Sequence, residues 1–458
     1  MYLVKTIFAG LWDFILTYPL YALGILVLAV LLFRLALRAL RYTYARVHQK
    51  NLIFMQVMLP RKDSKIDKEK ETEKDFREKI AVMEQFYRNI HEIRELNLWN
   101  LWKSWLVNHD MVSFELVLKE KELYFYVVTY PYFRTLVEKQ ITSYYPDADI
   151  TYVKPYELGK KGDSVKAFYL YEKRDYWFPV KTYKTIENDP LNDITNVFSK
   201  LDDADFASIQ IVINSIGKGW NKRAEMEGAL MFKGKKNTYG SGVTNFLGRI
   251  PIIGFLNSII VGAILGPEDV KGSTNEPGAK GGDSFQRMLQ AREEVAKHIG
   301  EKALSVGFEV GIRLVASSPT KEHTEDILNN LVIAFNLFNS PEMNYFQNRR
   351  IVPLDFLSTP ALLHGYHLRL PKHGNKTSIM VPEELASMYH FPVSKYNYSP
   401  TIKWLPYTVI PAPTDLPKEG ILLGHNVYRG EQREIHITRN DRTRHMYIIG
   451  KSGTGKSA

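Results

Sequence analysis

The chain has 458 residues, 45% of them hydrophobic and 24% charged, which is enough to bury a core in two or three domains and too apolar for a disordered chain. It holds no cysteine, so a disulfide scaffold and thiol chemistry are excluded. The net charge of +10 is concentrated in two places. Residues 34–50 carry Arg34, Arg38, Arg41, Arg46 and Lys50 with no acid, and residues 217–249 carry seven basic residues against Glu225 and Glu227. Each adjoins an apolar stretch, so anionic lipid headgroups are the expected contact ahead of a DNA groove.

From the N-terminus, Phe14 to Phe33 is a run of 20 residues without a charge. That is the length a helix needs to cross about 30 Å of hydrocarbon, so residues 1–50 are expected to be a transmembrane anchor with a basic juxtamembrane segment. A cleaved signal peptide would place its basic residues before the apolar run, whereas here they follow it. The positive-inside rule then gives a single pass through the cell inner membrane, N-terminus outside and the bulk cytoplasmic.

Residues 51–110 read as a helical stalk. Residues 61–79 mix eight basic and seven acidic residues, and Phe76, Ile80, Met83, Phe86, Ile90 and Ile93 then recur at three- and four-residue steps. Trp99, Trp102 and Trp105 continue the pattern as core or as contacts with a bilayer surface.

Residues 111–390 read as an α+β domain. Ser113 to Tyr132 alternates as two strands before a helical segment and the turn YPDAD, while Gly307 to Pro319 is a strand before another helical stretch. Ala207 to Ile216 supplies a further strand. The pattern predicts a ferredoxin-like repeat domain of two β-α-β halves, about 111–216 and 284–350, around an insertion at 217–283. Within it, the uncharged stretch Ile250–Gly266 reads either as an interfacial segment on the membrane or as a buried core segment. Residues 391–418 are a proline-rich linker, with six prolines between Phe391 and Pro417. His364 and His367 have H-x-x-H spacing, but no carboxylate or cysteine completes a metal set.

Residues 419–458 open a RecA-like α/β ATPase domain. Ile421 to Leu423, Glu434 to Thr438 and Met446 to Ile449 read as strands, the last leading directly into GKSGTGKS. Gly450, Gly455, Lys456 and Ser457 match the Walker A pattern G-x-x-x-x-G-K-[ST]. Gly450, Gly453 and Gly455 let the backbone turn successive N–H groups onto the phosphates of ATP; Lys451, Ser452 and Thr454 fill the loop between them. Lys456 supplies charge to those phosphates, and Ser457 places its hydroxyl on Mg²⁺. Hydrolysis also requires a Walker B acid and a residue that orients water, both of which follow the loop in such motors. The sequence is therefore expected to be the front part of an ATPase and not a catalytic unit by itself.

Residues 420–457, GILLGHNVYRGEQREIHITRNDRTRHMYIIGKSGTGKS, resemble the start of the motor domain of FtsK/HerA-superfamily ATPases, in particular the coupling-protein-like group of conjugation and type IV secretion. Arg444, His445 and Met446–Ile449 match its phrase of Arg-His, apolar strand and P-loop. EELASMYHFP at 383–392, YPDADI at 145–150 and FEVGIRLVASSPT at 308–320 also look like the N-terminal region of membrane-anchored members. The resemblance implies a ring, a hexamer of identical subunits, that threads DNA toward a channel of secretion proteins. Two other readings compete: a protein-secretion or pilus-assembly ATPase, and a non-enzymatic scaffold at a membrane surface.

Overall fold

The computed structural model describes residues 19–61, 76–92, 111–232, 282–348, 355–371, 378–406, 410–428 and 431–445. Helix α1, Pro19–His48, leads through a short 3₁₀ turn into strand β1, Ile53–Met58. Helix α2 spans Phe76–Glu92 and buries Ile80, Met83, Phe86, Tyr87 and Ile90 along one face, as its apolar spacing requires. Strands β2, Val112–Lys119, and β3, Glu122–Thr129, form a hairpin whose two loop residues, Glu120 and Lys121, both take positive φ (54° and 60°). This is the twist-matched turn that two-residue hairpins demand, adopted here without glycine or asparagine. Helix α3, Pro131–Tyr144, starts on a proline, and β4, Asp149–Val153, returns beside β1.

These four strands lie in the order β4-β1-β3-β2, all neighbours antiparallel, which is the β-α-β-β-α-β arrangement of a ferredoxin-like unit. The second unit repeats it with β5, Ser164–Glu172, helix α4, Pro190–Ser199, and β6, Phe206–Ser215. Helices α5, Gly219–Phe232, and α6, Gly282–Ala303, then precede β7, Phe308–Ser318, helix α7, Lys321–Ala334, and β8, Phe346–Asn348. Its order, β6-β7-β5-β8, is the first unit's order mirrored. The two fuse where β2 pairs antiparallel with β6, from Val112↔Ile213 to Leu118↔Ala207. Helix α8, Asp355–His367, strand β9, Ser378–Met380, and helix α9, Pro382–Met388, follow, with β9 extending the sheet along β7.

Strand alternation sorts the side chains onto two faces. Phe114, Leu116 and Leu118 of β2, Ile209 and Ile211 of β6 and Ile312 and Leu314 of β7 belong to the main core, together with residues of α2, α3, α4, α7 and α9. The opposite face is covered by α8 and the last turns of α1, and its core is smaller.

The sequence-based expectations are corrected at several points. No helix among the described residues is long and apolar enough to cross a membrane, so the transmembrane helix expected at Phe14–Phe33 is not supported. The helix that contains 19–33 continues without a break through Arg34, Arg41 and Arg46 to His48. Residues 14–18 lie outside the described residues, as do Trp99, Trp102 and Trp105 and the stretch Ile250–Gly266. The repeat has different limits from those expected, because β1 and β5 open the two units at residues 53 and 164. The first half of the proline-rich segment is docked on the sheet. Leu405 N donates to Leu59 O at 2.8 Å, Leu123 N to Thr401 O at 2.7 Å, and Ile402 and Leu405 are buried.

Candidate functional site

The expected nucleotide loop, Gly450, Lys451, Ser452, Gly453, Thr454, Gly455, Lys456 and Ser457, lies outside the described residues, as does the strand Met446–Ile449 before it. The approach to it is described. Strands β10, Ile421–Tyr428, and β11, Glu431–Ile437, form an antiparallel hairpin with an irregularity between Leu422 and Gly424. Gly420 begins it at φ +122°, where a Cβ would come within 2.3 Å of Ile437 O, so only glycine fits. At the far end Asp441 Oδ2 accepts from Thr438 N at 3.1 Å and Thr438 Oγ1 at 2.5 Å, while Arg444 N donates to Asp441 O. The Thr438 hydrogen bonds hold the Asp441 carboxyl below its ordinary range. This turn fixes the direction in which Arg444 and His445 leave the hairpin. Leu422, Leu423 and Val427 remain exposed along β10.

Elsewhere the fold assembles four polar constellations, none of which the sequence had singled out. The first lies on the lesser face of the sheet, where alternation places Ser113 and Glu115 of β2, Ser208 and Gln210 of β6 and Arg313 of β7 next to one another. Arg369, beyond α8, reaches down to Glu115, with Nε at 3.0 Å from Oε1 and Nη2 at 3.3 Å from Oε2. Glu115 also accepts from Ser113, Gln210 and Tyr156 at 2.7, 2.9 and 2.6 Å. Burial alone would raise this carboxyl, but the Arg369 charge and these hydrogen bonds outweigh it and hold it below its usual value. Tyr366 of α8 extends the network to Tyr156 and Ser208.

Arg313 in this layer is fully buried and meets no carboxylate among the described residues. Its Nη1 reaches Gln210 Oε1 at 3.4 Å and its plane lies 5.5 Å from the Tyr169 ring, but Nε and Nη2 meet no acceptor among the described residues. Burial lowers its pKa to about 10, still leaving it charged near neutrality. Of the H-x-x-H pair in α8, His364 Nε2 is hydrogen-bonded to Tyr42 of α1 and stacks on its ring at 5.1 Å. Burial, with Arg369 and His364 nearby, lowers the pKa of His367.

The second constellation is Lys302 of α6, enclosed with Glu172 and Glu384. Its Nζ is 3.5 Å from Glu172 and 3.0 Å from Glu384, and all three side chains are at most 2% exposed. Burial, moderated by Lys302 and reinforced by Glu384, pushes the Glu172 carboxyl up to about 8. The third surrounds Asp189, the N-cap of α4, which accepts from Leu191 N at 2.8 Å, His390 Nε2 at 3.0 Å and Asn397 Nδ2 at 3.0 Å. Asp189 is among the residues lining a cleft of about 540 Å³ between α4 and residues 396–400.

The fourth, Asp202, Asp205 and His323, brings three ligand-type atoms within 4.8 Å of one another. Here Asp205 Oδ2 already accepts from Asp202 N at 2.9 Å and His323 Nε2 at 3.0 Å. His323 lies in the first turn of α7, so these hydrogen bonds clamp the loop at 202–205 to a helix start.

The hydroxyl and amine that meet a carboxylate in these groups, Ser113 and Lys302, are both buried, and what the four groups display is hydrogen bonding and charge pairing. In the sequence they left one trace, the charged or amide residue at an inward position of an otherwise apolar strand, as in SFELVL and GIRLVA. Residues 56–250, less than half of the chain, match the family model described as domain of unknown function DUF8128. No curated protein matches the chain.

Proposed function

We propose that the chain carries the nucleotide-binding loop of an ATP-driven motor, with Gly450 to Ser457 as the contact to Mg-ATP. The observation that carries this reading is the sequence RHMYIIGKSGTGKS, in which an apolar run leads into a complete Walker A pattern. The backbone N–H groups around Gly450, Gly453 and Gly455, together with Lys456, would bind the β- and γ-phosphates, and Ser457 would hold Mg²⁺. The double ferredoxin-like sheet is then a platform in front of the motor, and the β10–β11 hairpin is the element through which the two connect. The reading is supported by the closeness of that hairpin to the loop, because only eight residues separate Ile437 from Met446.

The moved substrate is DNA in this proposal, and the subunits act as a ring of identical copies. What favours DNA is the resemblance of residues 420–457 to the motor domains of FtsK/HerA-superfamily ATPases, a kinship that implies a ring threading DNA. The experiment is an ATPase assay on the full product of the gene with and without duplex DNA. Hydrolysis stimulated severalfold by DNA, with the stimulation falling as salt rises, is expected. Hydrolysis indifferent to DNA contradicts the choice of substrate while leaving the nucleotide site standing.

A further inference from the structure

Strand register brings the starts of β1, β2 and β7 and the ends of β3 and β6 to one end of the sheet. Ile53 lies opposite Thr129, Thr129 opposite Val112, Val112 opposite Ile213 and Ile213 opposite Val310. Both basic segments of the chain join the sheet there. Helix α1 arrives with His48 edge-on to Tyr130, while α5 leaves from β6 and α6 returns to β7. Helix α2 ends at the same place, where His91 Nε2 is hydrogen-bonded to Ile216 O at 3.0 Å.

Residues 41–50 hold Arg41, Arg46 and Lys50, and residues 216–223 hold Lys218, Lys222 and Arg223, without an acid in either stretch. Arg46, Lys50, Lys218 and Lys222 are exposed, and none meets a carboxylate among the described residues. The opposite end of the sheet has no such bias: exposed there are Lys119, Glu120 and Lys121 of the β2–β3 turn and Asp202 and Asp203 before β6. At the basic end the charges stand among exposed apolar groups. Val47 is 70% exposed between Arg46 and Lys50; on the outward side of α5, Met226 (51% exposed) follows Lys222 by one turn, and Phe232 (66% exposed) closes the helix. The other side of α5, with Trp220, Ala224 and Gly228, is buried and packs on α6. A phosphate backbone would take up the charges and leave Val47, Met226 and Phe232 in water. The surface of an anionic bilayer takes up both kinds of group, headgroups for the cations and the acyl boundary for the apolar side chains.

We propose that this end of the sheet docks on an anionic lipid surface, with Arg46, Lys50, Lys218 and Lys222 at headgroup level and Val47, Met226 and Phe232 entering the acyl boundary. The contact does not depend on the nucleotide reading. Because the chain has no cysteine, a single introduced one can carry an environment-sensitive dye. The test labels Met226→Cys in one preparation and Asp203→Cys, at the opposite end, in another. Each full chain is mixed with vesicles of phosphatidylcholine alone or of phosphatidylcholine with phosphatidylglycerol. The dye at position 226 should shift to the blue with the mixed vesicles only, and the dye at position 203 with neither. Lys218→Glu combined with Lys222→Glu should weaken binding to the mixed vesicles by about tenfold or more. Both lysines are exposed, so the thermal unfolding midpoint should stay unchanged. The proposal is overturned by no shift at 226, by an equal shift with both vesicle compositions, or by a shift at 203 as large as that at 226. It is also overturned if the charge-reversed chain binds as well as the natural one, or if duplex DNA shifts the dye at 226 as strongly as the vesicles do.

Discussion

Arg313 and Arg369 are two buried guanidinium groups in one layer, and the sheet treats them differently. Arg369 shares the Glu115 carboxylate with Ser113, Gln210 and Tyr156, whereas Arg313 has one long hydrogen bond and an aromatic ring. Replacing one partner of a paired charge strands the other, so Arg369→Met should lower unfolding free energy by about 3–5 kcal/mol. Arg313→Met removes a charge that meets no carboxylate among the described residues and keeps similar volume, so stability should hold or rise by about 1 kcal/mol or more. Urea denaturation of the two variants checks both, and equal losses would contradict this account of the layer. The pairing was not legible in the sequence. Alternation in SFELVL puts Glu115 beside Ser113, but Arg369 is 254 positions away and only the closed fold brings it there.

The α5–α6 pair shows how an element inserted between two strands is fastened. Lys302 ties α6 to Glu172 at the end of β5 and Glu384 in α9, and Arg223 of α5 lies 5.3 Å from the Trp177 ring. Trp220 packs on Gly307, where a Cβ would fall 2.4 Å from its Nε1; Gly307→Ala should therefore displace the indole and lower the unfolding midpoint measured by tryptophan fluorescence.

Glu172 gives the seam a pH dependence. Its folded pKa, about 8, lies above the ordinary 4.5, so the folded chain binds the proton more tightly than the unfolded chain does. The stabilisation is present below pH 4.5 and is lost as pH rises through about 8. Denaturation curves between about pH 6 and 9 should show falling stability, with a flatter profile for Glu172→Gln; parallel profiles would contradict the assignment. At this scale the sequence was partly readable. The three- and four-residue spacing from Phe76 to Ile90 identified α2, yet it gave no sign that this helix lies on a sheet and not in a stalk. Strand β1 was missed because IFMQVM is short, follows a long helix directly, and pairs with strands more than sixty residues away.

At the scale of the whole molecule, two ferredoxin-like units share one sheet through β2 and β6, so neither has a free edge at the junction. The repeat could be suspected from the strand, helix and turn phrases around 113–150 and 307–345, but its limits depended on which strands pair, which composition does not encode. The β10–β11 hairpin stands apart as a two-stranded sheet with exposed Leu422, Leu423 and Val427, an arrangement of marginal stability by itself. In our account its role is to lead into the nucleotide loop. That loop was legible from sequence because a phosphate cradle depends on local backbone geometry and a fixed spacing of glycine, lysine and serine, and needs no distant partner to be recognised.

The most direct test is Mg-ATP binding by the full gene product and by its Lys456→Ala variant, measured by titration calorimetry with circular dichroism as the control for folding. Saturable binding by the natural protein and its loss, with an unchanged spectrum, in the variant are expected. Equal binding by both, or none by the natural protein, would contradict the assignment of the nucleotide loop.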